Sequence, residues 1–421
     1  MPVKSHPLLL TLRRLRGNAR GCVLTEPLWG IPFNLYAPYA SLYMLAFGLD
    51  DRQIGLFASI GMFVQVIWTV LSGAITDKLG RKRTTLIFDL ISWSVPTLIW
   101  AIAQNATYFL IAAIVNATWR VTHNSWNCLL VEDTDADLLV DIYSWIYIAG
   151  LLAAFFAPAT GLFVGRFGLV PTVRALYLLA FVMMTAKFII LNSLVTETQQ
   201  GQARMQETRD EPLFSVLQGS GKVLRQILHT PATLYTAGLM ILLSIASSIR
   251  GTFWSILVAE ELQIDEKYLA LYPFVRSIMM LLFFFLVMPA LRKWRIHKPM
   301  LLGFAGLILS QLLLILTPPG NYFFLFLATA LEGFATPAAY TLLDTLTVTT
   351  VDATERARVM ALLNLAVILG SSPFGWIAGE LSALNRRLPF VLITVIFVIS
   401  AILTFLASRA TERQLAAETA S

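Results

Sequence analysis

Charge is what this 421-residue chain has least of. Asp, Glu, Lys and Arg together make up 13% of it, against about 25% in soluble domains. A soluble protein of this length with so little charge would have no solvated skin. Histidine occurs four times and cysteine twice. Cys22 and Cys128 stand far apart, which gives neither a disulfide framework nor a metal-ligand spacing and leaves packing as their expected role. No P-loop, HExxH helix or nucleophile elbow occurs, so neither ATP drive nor hydrolysis within the membrane is indicated. No enzyme activity, cofactor or metal site is expected. The alternating ten-residue segments of a membrane β-barrel are absent, and no small-residue cleavage site follows the basic N-terminus.

What is present is hydrocarbon. The composition is 57% hydrophobic and the mean hydropathy is +0.71. Many apolar runs reach the ~20 residues that cross a bilayer core. The fold class read from this is an all-α polytopic membrane protein with twelve transmembrane helices. They lie at about 21–47, 53–76, 84–103, 107–131, 140–164, 171–195, 232–258, 267–290, 299–317, 321–349, 357–381 and 388–408. One long polar stretch, 196–230, follows the sixth span. The expected organisation is therefore a six-helix bundle over 1–195, a cytoplasmic linker over 196–230 and a second six-helix bundle over 231–421.

Lys and Arg mark the cytoplasmic side of a membrane protein. With both termini cytoplasmic, the inner segments hold 21 of the 31 and the outer loops hold six: Arg52, Arg166, Arg174, Lys267, Arg386 and Arg387. The asymmetry accounts for the pI near 9.3 without a nucleic-acid partner. The location expected is the plasma membrane, the inner membrane in a bacterium, with a monomer in the lipid bilayer.

The halves repeat. At an offset of 215, Asp50 falls on Asp265, Asp51 on Glu266, Arg52 on Lys267 and Ile54 on Leu269. At 214, Asp141 falls on Glu355, Gly161 on Gly375 and Gly165 on Gly379. Two pseudo-symmetric bundles of the same orientation follow, a recurring transporter plan with its binding site near midplane.

The stretch GAITDKLGRKR, residues 73–83, interrupts this apolar chain with five charges between spans two and three. Together with twelve spans and a 6+6 repeat, it resembles the major facilitator superfamily, whose pattern there is G-x-x-x-D-[RK]-x-G-R-[RK]. Gly73, Asp77, Lys78, Gly80, Arg81 and Lys82 match it. The resemblance implies alternating access by rocking of two halves. It also implies a gating latch, in which Asp77 lies against the eleventh helix and Arg81 pairs with an acid ending the fourth, Glu132 or Asp133. The physics suits this: a helix N-terminus stabilises a carboxylate, and Arg offers a fork of donors. The same charges would also enforce topology. The second half departs from the pattern, with Arg292 at the place of Asp77, so its cations would turn to Asp352 or Glu355. In the fifth helix Ala153, Ala157, Pro158, Gly161 and Leu162 partly follow the pattern of drug/proton antiporter-like exporters; ordinary close packing explains them equally.

Charge inside a membrane is a functional hypothesis by default. The cations within spans are Arg120, Lys187, Arg250 and Arg276; Lys187, about two turns from the cytoplasmic end, is expected to snorkel. The acids are Glu26, Asp89, Glu132, Asp133, Glu332 and Asp344. Glu332 is nearest midplane, and its counterpart in the first half is Asn116. The candidates for substrate binding or proton coupling are Glu332 with Arg250 or Arg276, then Glu26 with Arg120, each pair serving as a proton switch or as a permanent ion pair. His123 shares a helix face with Arg120 and is a proton relay or a satisfied polar group. Aromatics at Trp29, Phe33, Tyr36, Trp119, Trp126, Trp254 and Tyr340 could wall a binding cavity or serve as core and lipid-facing side chains.

The reading is a secondary active transporter of small organic solutes by alternating access, a proton-coupled antiporter for efflux, with protons and a small-molecule substrate as partners. The alternatives are organic-anion uptake or exchange, and a non-transporting receptor or scaffold on the same fold. The charge asymmetry predicts that a cysteine placed at Gln200 is protected from an impermeant thiol reagent added outside intact cells; labelling from outside would reverse the orientation.

Overall fold

The computed structural model describes residues 15–135, 138–210, 231–291, 297–349 and 356–420. Within them the chain is helical, with no strand. Backbone groups in hydrocarbon must bond within their own segment, and a helix achieves this without partners.

Among the described residues, ten helices are long and apolar enough to cross a membrane, from Asp51–Leu79 to Leu388–Leu406. The remaining two expected spans are broken into shorter pieces. Span one runs as Gly17–Thr25, Pro27–Tyr36, a 3₁₀ turn Ala37–Tyr39 and Ala40–Ala46. Pro27, Pro32 and Pro38 each remove a donor from its ladder, which breaks or bends a helix. Span four is split into Ala106–Asn116 and Trp119–Val131, with the polar residues Arg120 and His123 just beyond the break. Among the described residues the helices therefore fall at the twelve expected spans, close to the expected boundaries.

The acids that repeat between halves have a local role. Asp50 accepts from the Gln53 N–H at 2.8 Å, and Gln53 Oε1 accepts from the Asp50 N–H at 3.1 Å. This reciprocal box caps the helix Asp51–Leu79. Asp265 likewise accepts from the Lys267 N–H at 3.1 Å where span eight begins. The repeated Asp is thus a helix-starting device at both places.

The chain forms two compact units: residues 1–48 with 63–218, and 49–62 with 219–421. In the first, Leu15, Ala19, Cys22 and Val23 pack with Leu129, Leu130, Ile142, Leu191 and Val195, joining spans one, four, five and six. In the second, spans nine and ten meet where Gly303 and Gly306 face Ala338 and Ala335. Small residues allow such backbone approach where water gives no driving force between helices. The first part of span two belongs to this unit for the same reason. Gly55 lies against Gly375 and Gly379, and a Cβ added at Gly379 would stand 2.8 Å from the Asp51 carbonyl oxygen. Ser59 accepts from the Trp376 N–H at 2.7 Å. Asp51 accepts from the Ser382 hydroxyl at 2.6 Å and from Arg386 at 3.3 Å.

Large apolar side chains such as Leu162, Leu316 and Phe323 are exposed, as lipid-facing residues must be. Asp344, Asp352, Glu355 and Arg292 lie outside the residues whose side chains are described.

Overpacking a tight contact costs about 1–3 kcal/mol. Gly379→Val should accordingly lower the apparent melting temperature of the purified protein, while Gly150→Ala, whose added Cβ meets nothing within 4 Å, should not. Equal melting temperatures for both variants would contradict the close approach.

Candidate functional site

The charged turn after span two is built on Gly80. Its φ of 84° lies in the region that glycine alone adopts without strain. Span three begins at the next residue, so Asp77 and Arg81 share one corner. The Arg81 side chain is 5% exposed. One terminal nitrogen donates to Asp77 at 2.9 Å, while Nε and the other donate to Glu132 Oε1 at 3.1 and 3.0 Å. This is the planar fork for which Arg is suited. Of the two expected acids, Glu132 takes Arg81. Asp133 instead receives a longer bond from the Gln199 N–H, at 3.4 Å.

The segment after span six completes this corner, which the sequence reading did not foresee. Glu197 accepts from the backbone N–H groups of Arg81 and Lys82 at 2.9 and 3.0 Å. A carboxylate thereby satisfies two of the free donors that open span three and faces its positive end. The Thr198 hydroxyl donates to Glu132 at 2.5 Å and accepts from the Gly201 N–H at 2.9 Å, capping a helix Gln199–Glu207. Arg204 donates to Asp77 at 3.0 Å and to Glu207 at 2.8 Å. These bonds, the one to Asp77 first, hold the Arg204 guanidinium above the usual arginine range. Gly201 packs on Arg81 with no room for a Cβ. Gly73 has open surroundings, and Lys78 and Lys82 add positive charge at the turn. A threonine at the N-cap is a signal in the sequence, but the polar composition of 196–230 masked it.

A second cluster lies within the first unit. A cavity of about 350 Å³ is walled by Trp29, Phe33, Trp93, Trp119 and Trp126, with Glu26, Asp89, Thr122, His123 and Lys187 as its polar lining. Lys187 does not snorkel. It is buried, and its Nζ donates to Glu26 at 2.9 Å while lying within 6 Å of the Trp29 and Trp126 rings. A carboxylate and aromatic faces at that depth replace what the interface would give. Glu26 consequently does not pair with Arg120. Arg120 donates through Nε to Gln65 at 2.8 Å and covers the Trp119 ring at 4.1 Å. Asp89, buried, accepts from Thr122 at 2.7 Å. His123 lies edge-on to Trp119, and Asn127 donates to its backbone carbonyl. Tyr36 packs on Tyr177 outside this lining.

The third cluster lies within the second unit. Glu332, with a 7% exposed side chain, is in ion contact with Arg250 of span seven and lies 3.6 Å from Arg276 Nε of span eight. Both expected partners therefore face it. Trp254 sits edge-on to Tyr272, and Tyr340 donates to the Leu243 carbonyl at 3.3 Å.

Asp77→Asn keeps size and removes one carboxylate from both Arg81 and Arg204. Hydrogen exchange over 199–208 should rise and transport should fall, with expression preserved. Unaltered exchange and transport would show that Asp77 does not hold this corner.

The family model described as Major Facilitator Superfamily matches residues 29–320 and 236–421. No curated protein sequence matches the chain. Among solved structures, the nucleoside transporter NupG is similar with a TM-score of 0.68 and 15% identity, covering 93% of this chain and 98% of that one; a point mutant of it gives 0.70, 14%, 93% and 99%. The POT family transporter PepTSo gives a TM-score of 0.70 at 14% identity, with 94% and 98% covered. These likenesses carry the fold; the family match carries the class, an integral membrane secondary transporter rather than an enzyme, and the chain belongs to the major facilitator superfamily.

Proposed function

We propose that the chain moves a small organic solute by alternating access, coupled to protons through Glu332. The observation that carries this is a single buried carboxylate facing two guanidiniums in the second unit. Topology and packing require no acid there. A carboxylate that is alternately ionised against Arg250 and Arg276 and protonated gives an element whose two states differ by one charge. The corner of Asp77, Arg81 and Glu132, with Glu197 and Arg204, is the latch of this cycle, on the cytoplasmic side. N- and C-termini are cytoplasmic, and the protein works as a monomer in a plasma membrane, the inner membrane in a bacterium.

Efflux by antiport was expected from the fifth helix. There, a Cβ added at Gly30 would meet Ala153 at 3.3 Å, and Thr160 donates to the Leu35 carbonyl at 3.2 Å. Close packing with span one is reason enough for those small residues. The second reading, uptake or exchange of an organic anion, has the surplus of guanidinium over carboxylate around Glu332 in its favour.

Glu332→Gln imitates the protonated acid. In proteoliposomes it should retain solute exchange at equal concentrations and lose accumulation driven by a pH gradient, falling to the level of protein-free vesicles. Gradient-driven accumulation at the wild-type rate would remove Glu332 from the role and pass it to Glu26 or Asp344.

A further inference from the structure

Two guanidiniums converge on one carboxylate oxygen. Arg250 contacts Glu332 Oε1 through a terminal nitrogen, and Arg276 Nε lies 3.6 Å from the same atom, beyond hydrogen-bond reach. The Nε of Arg250 and the Nε of Arg276 are both shielded from solvent and without an acceptor among the described residues. A shielded donor without a partner is unfavourable, most of all on a charged group. One carboxylate against two guanidiniums also leaves one positive charge in excess.

The arrangement is held by backbone, not by chance rotamers. Gly333, beside Glu332, lets span ten press on span eight at Arg276; a Cβ there would stand 2.7 Å from the Arg276 carbonyl oxygen. Span nine meets span ten through Gly303 and Gly306 against Ala338 and Ala335, an apolar contact. Tyr340, on the helix of Glu332, is the other titratable group in electrostatic contact with the cluster, and its hydroxyl is engaged by Leu243. The arginine side chains remain reachable, 20% exposed for Arg250 and 33% for Arg276, whereas Glu332 is withdrawn.

We infer that Arg250 and Arg276 bind the anionic head of the transported solute, a carboxylate, phosphate ester or sulfonate, and that Glu332 takes up a proton as the anion arrives. The inference rests on Glu332 being the coupling acid. An oxyanion with two or three oxygens matches two planar forks, as a single shared oxygen does not. Protonation of Glu332 alone would leave two guanidiniums together with no counter-ion. An anion beside an ionised Glu332 would meet a like charge. Each of proton and anion therefore favours the other, and the linkage is reciprocal. The proton comes from water and adds to the carboxylate; no bond of the solute changes. Solute and proton then travel in the same direction, as symport.

The test uses the purified full chain and three probes of one shape, benzoate, phenyl phosphate and benzenesulfonate, with benzylammonium as the charge-reversed control. Binding is measured between about pH 8 and about pH 5.5, where Arg stays charged. At least one anion should bind saturably and more tightly at the lower pH. Glu332→Gln should bind it tightly across the range with the pH dependence gone. Arg276→Gln should lose about tenfold or more in affinity, and Arg276→Lys, which keeps charge without the fork, should fall between them; a monodisperse elution profile for each variant excludes misfolding. Saturable binding by none of the three anions, preference for benzylammonium, or wild-type affinity in Arg276→Gln overturns the anion site. A pH dependence that survives Glu332→Gln, with the Arg276→Gln loss intact, instead overturns Glu332 as the coupling acid.

Discussion

A charge withdrawn from water must find its opposite nearby, and in hydrocarbon the requirement is severe. Three clusters of this transporter follow that rule, while Arg120 is met instead by Gln65 and the Trp119 ring. Arg81 is met by Glu132 and Asp77, Lys187 by Glu26, and Glu332 by Arg250 and Arg276. Span ten, which carries Glu332, is fixed by the close contacts at Gly303, Gly306 and Gly333, so this charge is placed by backbone geometry and then matched. A buried pair of this kind adds little net stability compared with a well-packed apolar replacement, but removing one partner is strongly destabilising. Such pairs therefore define states, and a transporter cycles between states.

The three clusters differ in balance, and the difference suits different work. At the turn after span two, acids and bases interlock: Arg81 and Arg204 share Asp77, while Glu197 and Thr198 tie in two helix starts. That arrangement is closed on itself. Around Lys187 two carboxylates face one ammonium inside an aromatic wall. Around Glu332 the ratio is inverted. The two halves share a helix plan but not a chemistry: Asn116, the counterpart of Glu332, donates to the Ser92 carbonyl at 2.7 Å and serves as a neutral tie between helices.

Much of this was legible in the sequence. Hydrocarbon length fixes the span count, and a run of charges in an apolar chain is conspicuous, which is why residues 73–83 stood out. Glu332 could be singled out because depth along a span is read directly from residue number. Lys187 was misjudged because depth says how far a side chain would have to reach but not what stands beside it; Glu26 is 161 positions away in sequence. Glu197 was missed for a related reason. Its partners, the N–H groups of Arg81 and Lys82, are backbone donors, and no residue type advertises them. The place of residues 49–62 in the second compact unit was equally hidden, since Gly55 and Gly379 signal a close approach without naming the partner.

Span two links two of these features. It is one helix of 29 residues, Asp51–Leu79, with no proline, about 43 Å long at 1.5 Å per residue. Near its start, Asp51, Gly55 and Ser59 lie on one face against span eleven; near its end, Asp77 meets Arg81 and Arg204. An unbroken helix is stiff in torsion because each hydrogen-bonded turn locks to the next. One continuous helix thus carries both ties: at its start a backbone approach that any larger side chain would wedge apart, and at its end a carboxylate shared by two guanidiniums.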